Sequence, residues 1–102
     1  MGFNEKVLRL TGKIPKGKVT TYKEIAKKLR TKAYRAVGNA LRENKKLIVI
    51  PCHRVVKSNG ALGGYCGEVN SKKKRFLLEK EGIKVKGNKI IDFRKRLFIF
   101  KK

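Results

Sequence analysis

The stretch Thr21–Arg42, TYKEIAKKLRTKAYRAVGNALR, decides the fold. Thr21 followed three residues later by Glu24 has the spacing of a capping box, and Ile25, Ala26 and Leu29 then share one face, so a helix is predicted from about Tyr22 to Leu29. Ala33, Ala36, Val37, Ala40 and Leu41 recur at i, i+3, i+4, i+7 and i+8, which predicts a second helix with Thr31 or Lys32 at its start. Two short helices this close, the second carrying Arg35, Asn39 and Arg42 on its outer face, have the spacing of a helix-turn-helix. Any small helical bundle contains such pairs, so the spacing alone leaves the assignment open. Gly38 lies inside the second helix, where it costs about 1 kcal/mol relative to alanine; close approach of another backbone, protein or DNA, would explain it.

Upstream, Phe3, Asn4 as a cap, Val7 and Leu8 read as a first helix, with Phe3 and Leu8 as a hydrophobic staple and Gly12 as its end. Pro15 to Lys18 is a turn, and Val19-Thr20 a short extended piece. Downstream, the apolar run Leu47-Ile48-Val49-Ile50 reads as a strand that Pro51 stops. Val55-Val56-Lys57 and Ala61-Leu62 flank Ser58-Asn59-Gly60 as a small hairpin with an Asn-Gly turn, the wing beside the helices. Gly63-Gly64-Tyr65-Cys66-Gly67 is too glycine-rich for regular structure and reads as a flexible loop. Ser71 would cap a third helix, through Phe76, Leu77, Lys80 and Glu81, that ends at Gly82. Ile83 to Val85, Gly87-Asn88 and Ile90-Ile91 suggest a terminal hairpin. In the tail from Phe93 to Lys102, Leu97, Phe98, Ile99 and Phe100 pack back on the domain.

The 102 residues carry 29 lysines and arginines against 7 acidic residues, a net charge of +22. Length allows one domain over residues 1–102, with a modest core. The charge favours a polyanion, and duplex DNA attracts such a surface by releasing condensed counterions. With no long apolar segment and no signal peptide, the sequence points away from membrane-spanning and secreted classes and toward the cytoplasm. Cys52 and Cys66 stand fourteen positions apart. They form no CxxC pair, and with one histidine they fall short of a zinc site, so no metal is expected and both thiols are expected reduced.

Pro51-Cys52-His53-Arg54-Val55 places a thiol beside an imidazole at a strand exit, with arginine next in line. The thiolate is the reactive form of cysteine, and an imidazole or a cationic environment raises its population. Cys52 is therefore a candidate nucleophile. The plain alternative for an arbitrary Cys-His pair is a buried structural cysteine and a loop histidine.

Read together, the segment Pro51 to Val56, Tyr22, Arg35-Ala36-Val37-Gly38, Asn44, Gly64-Tyr65-Cys66-Gly67 and Glu81-Gly82 resemble the O6-alkylguanine-DNA alkyltransferases, the methylated-DNA–protein-cysteine methyltransferases. The match runs from about Phe3 to Asp92 in the family's order. The resemblance implies a mainly α fold with small β hairpins, a winged helix-turn-helix-like catalytic domain. It implies attack by Cys52 on the alkyl group at O6 of guanine in DNA, with His53 as base, Glu81 orienting it and Asn44 bracing the loop. Tyr22 and Tyr65 match pocket tyrosines, and the N–H at Cys66, beside Gly67, matches a donor to O6. The carbonyls of Val55 and Val56 would accept from the exocyclic amine. Arg35 matches an arginine finger that enters the base stack from the minor groove, with Ala36 and Gly38 small to admit the backbone and Asn39 and Arg42 on the same face. The thioether product implies a single turnover and no cofactor.

The resemblance covers the DNA-binding catalytic part and not the additional N-terminal domain that most of the family carries, so the expectation is that either the minimal domain works alone or a separate chain supplies the missing half. Cys66 stands where the family usually has serine, and the loop from Gly67 to Phe76 is about two residues longer than usual. Two other readings compete. One is a non-enzymatic alkyltransferase-like lesion sensor, against which Cys52 argues because tryptophan commonly replaces it there. The other is a winged-helix regulator, which charge alone would favour.

Overall fold

The computed structural model describes residues 2–43, 50–63 and 72–100. Helix α1 spans Phe3–Thr11, strand β1 Thr20–Thr21, α2 Tyr22–Lys28 and α3 Tyr34–Arg42. A 3-10 turn, Cys52–Arg54, leads into β2, Val55–Val56; α4 is Lys72–Lys80, β3 Val85–Lys86, β4 Lys89–Ile90 and α5 Phe93–Arg96.

Thr21 opens α2 by accepting the Glu24 N–H on Oγ1 at 3.0 Å, the first half of a capping box. The connection to α3 turns through Arg30, whose φ is +58°, and Thr31 Oγ1 accepts from the Ala33 N–H at 3.1 Å. Thr31 thus shapes the turn, while the N-cap position itself is Ala33. In α1 the cap is Gly2 rather than Asn4, because the Gly2 carbonyl already accepts from the Lys6 N–H. Asn4 faces sideways, and its Nδ2 donates to Glu43 at 2.8 Å, tying α1 to the end of α3.

The three helices enclose one apolar cluster that includes Val7, Leu10, Ile14, Ile25, Ala26, Val37, Leu41, Cys52 and Val55. A second holds Val19, Val56, Leu62, Leu78, Ile83, Val85 and Ile90. The seam between them is a parallel pairing of β1 with β2, Thr20 against Val55 and Thr21 against Val56. Successive strand residues point to opposite faces, so Val55 enters the helical cluster and Val56 the other.

This pairing corrects the expected wing. Val55–Val56 is not a hairpin arm; its strand partner is β1. The turn is present, with the Gly60 N–H donating to the Lys57 carbonyl and the Lys57 N–H to the Ala61 carbonyl, each at 2.9 Å. Ser58 and Asn59 sit at its centre and Gly60 follows in the left-handed region at φ +87°, one residue later than an Asn-Gly centre would have it. A Cβ on Gly60 would come within 3.2 Å of the Phe93 ring. Beyond the turn the chain joins the terminal hairpin, with Ala61 bridging Lys89 and the Leu62 N–H donating to the Asn88 carbonyl. That hairpin pairs Val85 with Ile90 and Lys86 with Lys89. The tail runs back along β1: Leu97 bridges Val19, the Phe98 N–H donates to the Val19 carbonyl at 2.7 Å, and Phe98 and Phe100 meet edge to face against the helical cluster.

Helix α4 stops in a Schellman motif. The Ile83 N–H returns to the Leu78 carbonyl and the Gly82 N–H to the Glu79 carbonyl, with Gly82 at φ +89° and Ile83 packed with Leu78. This closure fixes where Glu81 points. Gly82→Ala forces a Cβ into the left-handed region and is expected to cost about 1–2 kcal/mol, which lowers the melting temperature by roughly 4–8 °C per kcal/mol in a domain of this size. A thermal melt reads it; an unchanged midpoint would show that the left-handed closure is not required.

Candidate active site

Proline at 51 fixes its own φ and gives no N–H, so the chain leaves Ile50 in a tight turn in which the Cys52 N–H reaches the Ile50 carbonyl and the Arg54 N–H the Pro51 carbonyl. The turn sends three consecutive side chains to three places. Cys52 lies at the edge of the helical cluster, 7% exposed, its Sγ 3.6 Å from the Leu41 carbonyl. His53 is buried, and its Nε2 lies 2.7 Å from Oε2 of Glu81. Arg54 grips the same carboxylate, Nη2 to Oε2 at 2.8 Å and Nε to Oε1 at 2.9 Å, while its Nη1 donates to the Ile14 carbonyl at 2.7 Å. The Gly17 N–H approaches Oε1 at 3.4 Å.

Burial pushes the Glu81 carboxyl up, but hydrogen bonds from Arg54 and then His53 outweigh it, and Glu81 titrates below the ordinary carboxylate range. An ionised carboxylate only accepts, so the imidazole carries its proton on Nε2 and presents Nδ1 as the basic nitrogen. Burial lowers the His53 pKa against the pull of Glu81, with the charges of Arg54 and Lys74 adding to the decrease. His53 is therefore neutral, and able to take a proton, at pH 7.

Lys74 enters from α4 with no exposed surface, and its Nζ donates to the Val55 carbonyl at 2.6 Å. That carbonyl, expected to accept from a base, already has one donor; a carbonyl oxygen holds two lone pairs. Nζ also lies 5.9 Å from the centre of the Tyr22 ring. Burial lowers the Lys74 pKa to about 7, opposed by the Cys52 charge and reinforced by Lys57. Burial raises the Tyr22 pKa, and Cys52 raises it further. Cys52 thus lies near enough to both Tyr22 and Lys74 for its charge to act on each. Gly63, at φ +74°, brings the chain against the Tyr22 hydroxyl, where a Cβ would stand 3.3 Å away.

The structure brings Cys52, His53, Glu81, Tyr22 and Val55 to one locality, while the Val56 side chain turns to the second cluster. Asn44, Tyr65, Cys66 and Gly67 lie outside the described residues. On α3, Arg35, Asn39 and Arg42 are exposed, and Arg42 donates to Asn39. A Cβ on Gly38 would meet nothing within 4 Å, so no close protein contact among the described residues demands glycine there. Sequence reasoning missed two groups. Arg54 was adjacent to the motif, but only the fold pairs it with Glu81. Lys74 is hidden in the run Lys72 to Arg75, yet it stands four residues before Leu78, on the buried stripe, whereas Phe76 is 61% exposed.

Over residues 2–83 the sequence matches the family described as 6-O-methylguanine DNA methyltransferase, DNA binding domain. The chain belongs to this family. A methylated-DNA–protein-cysteine methyltransferase of Candida glabrata is 57% identical over 72 residues, 70% of this chain and 34% of the relative. One from Saccharolobus solfataricus is 53% identical over 83 residues, 81% of this chain and 52% of the relative. The chain spans at most about half the length of these curated relatives. Among solved structures, Mycobacterium tuberculosis OGT in complex with DNA superposes with a TM-score of 0.72 at 41% identity, covering 79% of this chain and 50% of that one. Schizosaccharomyces pombe Atl1, in complex with damaged DNA containing O6-carboxymethylguanine, gives 0.82 at 28% identity and covers 94% of both chains. The mainly helical, winged-helix-like architecture is that of the family. No helix among the described residues is long and apolar enough to cross a membrane.

Within this family fold, Lys74 links stability to pH. Its folded pKa of about 7 lies below the unfolded value of 10.5. Between those values the unfolded chain binds the extra proton, so stability rises with pH across this window and falls as pH drops toward 7. Urea unfolding at pH 7 and pH 9.5 is expected to show about 2–3 kcal/mol more of this rise in the native chain than in Lys74→Met. Equal slopes in the two proteins would refute the buried, deprotonating lysine.

Proposed function

We propose that the protein repairs DNA by direct reversal, moving a methyl or larger alkyl group from O6 of guanine, and in principle O4 of thymine, to Sγ of Cys52 once per molecule. The observation that carries the reading is the His53–Glu81–Arg54 network, whose His53 directly follows Cys52 in the chain, together with 53–57% identity over 72–83 residues to relatives named methylated-DNA–protein-cysteine methyltransferases. His53 Nδ1 takes the Cys52 proton, directly or through water, while Glu81 holds the imidazole in the tautomer that makes this possible. The thiolate sulfur forms a bond to the alkyl carbon as the carbon–O6 bond breaks, and the electron pair leaves with the base, which is restored to guanine by a proton. Lys74 and the Tyr22 hydroxyl supply positive potential where charge develops.

Asn44 as a brace, Tyr65, Cys66 and Gly67 as guanine contacts, and the Val55 and Val56 carbonyls as acceptors complete the site in this reading. A base inside a duplex is closed to such attack, so the nucleotide is turned out at a cost of a few kcal/mol, with Arg35 filling the gap from the minor groove. Double-stranded DNA is thus the partner, in the cytoplasm with the nucleoid. The thioether resists water, and the protein needs neither metal nor organic cofactor. Residues 1–102 act as one catalytic and DNA-binding domain.

A second reading, a lesion sensor without transfer, is favoured by one observation: Atl1 is matched end to end. Incubation with a duplex containing O6-methylguanine, followed by peptide mass measurement, separates the two. Gain of one methyl mass on the Cys52 peptide is expected; tight lesion binding with no mass gain would replace the transferase with the sensor.

Gly38 tests the DNA face. Nothing in the described protein fills the space a Cβ would take, so Gly38→Ala should stabilise the fold by about 0.5–1 kcal/mol while weakening duplex binding. Stabilisation with undiminished affinity would move the DNA away from this face of α3.

A further inference from the structure

The match to the family ends at residue 83, yet the chain continues through α5 into an apolar tail whose hydrogen bonds return to the segment before α2. The Val19 N–H donates to the Arg96 carbonyl at 2.8 Å and the Phe98 N–H to the Val19 carbonyl at 2.7 Å. Thr20 Oγ1 donates to the Phe98 carbonyl at 2.9 Å, and Lys18 Nζ to the Lys95 carbonyl at 2.8 Å. With its backbone so fixed, Arg96 turns a half-buried guanidinium onto two carbonyls at once: Nη1 donates to Gly17 at 3.3 Å and Nη2 to Gly82 at 3.2 Å. A guanidinium only donates, and its fork is planar and rigid, so two carbonyls held by it keep a fixed separation.

Those two carbonyls belong to the two segments that border Glu81. Gly82 follows Glu81 in the chain and closes α4, and the Gly17 N–H faces Glu81 Oε1 at 3.4 Å. A Cβ on Gly17 would stand 3.8 Å from the Glu81 carbonyl oxygen and 3.9 Å from Arg96 Nη1, so the three groups pack together. Arg54 ties the other end of the 14–17 segment through the Ile14 carbonyl. We propose that Arg96 is a positioning residue for the transfer: its fork clamps the Gly17 and Gly82 peptides to each other and, through them, keeps the Glu81 carboxylate aimed at His53 Nε2. Arg54 holds the carboxylate itself; Arg96 holds the backbone on either side of it. The proposal rests on the repair reading above and adds to that site a part drawn from outside the matched span.

His53 is the single histidine of the chain, so imidazole nitrogen-15 resonances report its tautomer without ambiguity. In the parent at neutral pH, Nδ1 is expected at the unprotonated shift and Nε2 at the protonated one. In Arg96→Ala the two shifts should move toward each other as Glu81 loosens. Single-turnover transfer from a duplex carrying O6-methylguanine should slow about tenfold, a fraction of the ~10²–10⁴ that a positioned base contributes, with lesion-duplex Kd within about twofold of the parent. Arg96→Lys keeps the charge but cannot span both carbonyls, so it should show the same changes in smaller degree, and it carries the test where the alanine variant fails to fold. Thr20→Val removes a different tie to the tail, the bond to the Phe98 carbonyl, and leaves the fork; it should lower the melting temperature while keeping the parent's tautomer and rate. Unshifted resonances in the Arg96 variants, an unchanged rate in them, or equal shifts in Thr20→Val overturns the positioning role and leaves Arg96 an anchor of the tail. If the parent itself gains no methyl, the repair reading fails instead, and the nitrogen-15 comparison still decides whether Arg96 holds His53 through Glu81.

Discussion

One carboxylate holds the chemistry and the fold together. Glu81 accepts from His53 and from Arg54, and Arg54 reaches on to the Ile14 carbonyl, so a single ion group joins the turn at 52–54, the end of α4 and the segment after α1. Buried charges are costly to desolvate, and such a group persists only where its lone pairs are met by well-aligned donors. Here two oxygens receive His53, a forked guanidinium and a backbone N–H. The fork adds orientation to energy, because a bidentate arginine leaves a carboxylate no freedom to rotate. An imidazole leaning on a carboxylate so held has one tautomer and one direction. Glu81 itself is aimed by the left-handed Gly82 that ends α4, and a helix terminus thereby sets the orientation of the imidazole.

The second constraint is the two-residue parallel pair. Thr20–Thr21 against Val55–Val56 is too short to be stable by itself, yet it lies where the two clusters meet, and the alternation of side chains gives each cluster one valine. It also sets the start of α2 beside the exit of β2. Tyr22 follows β1 directly, so the strand register carries the tyrosine against the cluster that contains Cys52. The apolar tail closes the outer edge of the same pair at Val19. A sheet edge covered by the chain's own end offers less backbone to a second molecule.

What could be read from the sequence follows the range of the forces involved. The spacing of Thr21 with Glu24, the apolar stripes of α2 and α3 and the Gly82 stop are local, and local chemistry placed them within one or two residues. Strand partners are not local. The residues 55–62 look like a self-paired hairpin by propensity, but β2 finds β1 some 35 residues earlier by register (Thr20 to Val55), and no periodicity within the segment encodes that. Lys74 was illegible for a related reason: in a run of basic residues only the helical phase relative to Leu78 marks one as internal, and composition argues for a solvated face. Arg54 carried its signal in plain view beside the motif, but its function as the clamp on Glu81 needs the distance between positions 54 and 81 to collapse, which is a property of the fold.

The resemblance to both methyltransferases and Atl1 separates two functions that share the scaffold. On the proposed reading, binding a duplex and turning out a damaged base draw on the basic charge and on α3, which a sensor also requires. Transfer additionally requires a soft nucleophile with a base behind it. Those parts lie in a different layer: Cys52 and His53 are buried, held from the core side by Leu41, Glu81 and Arg54, while Arg35, Tyr34 and Lys57 face solvent. Loss of the sulfur would leave the DNA-facing layer intact, since nothing on α3's outer face depends on it. Retention of Cys52 together with the whole Glu81 clamp therefore weighs toward chemistry, because a buried ion cluster that merely supported a binding surface could be exchanged for apolar packing at little cost in stability.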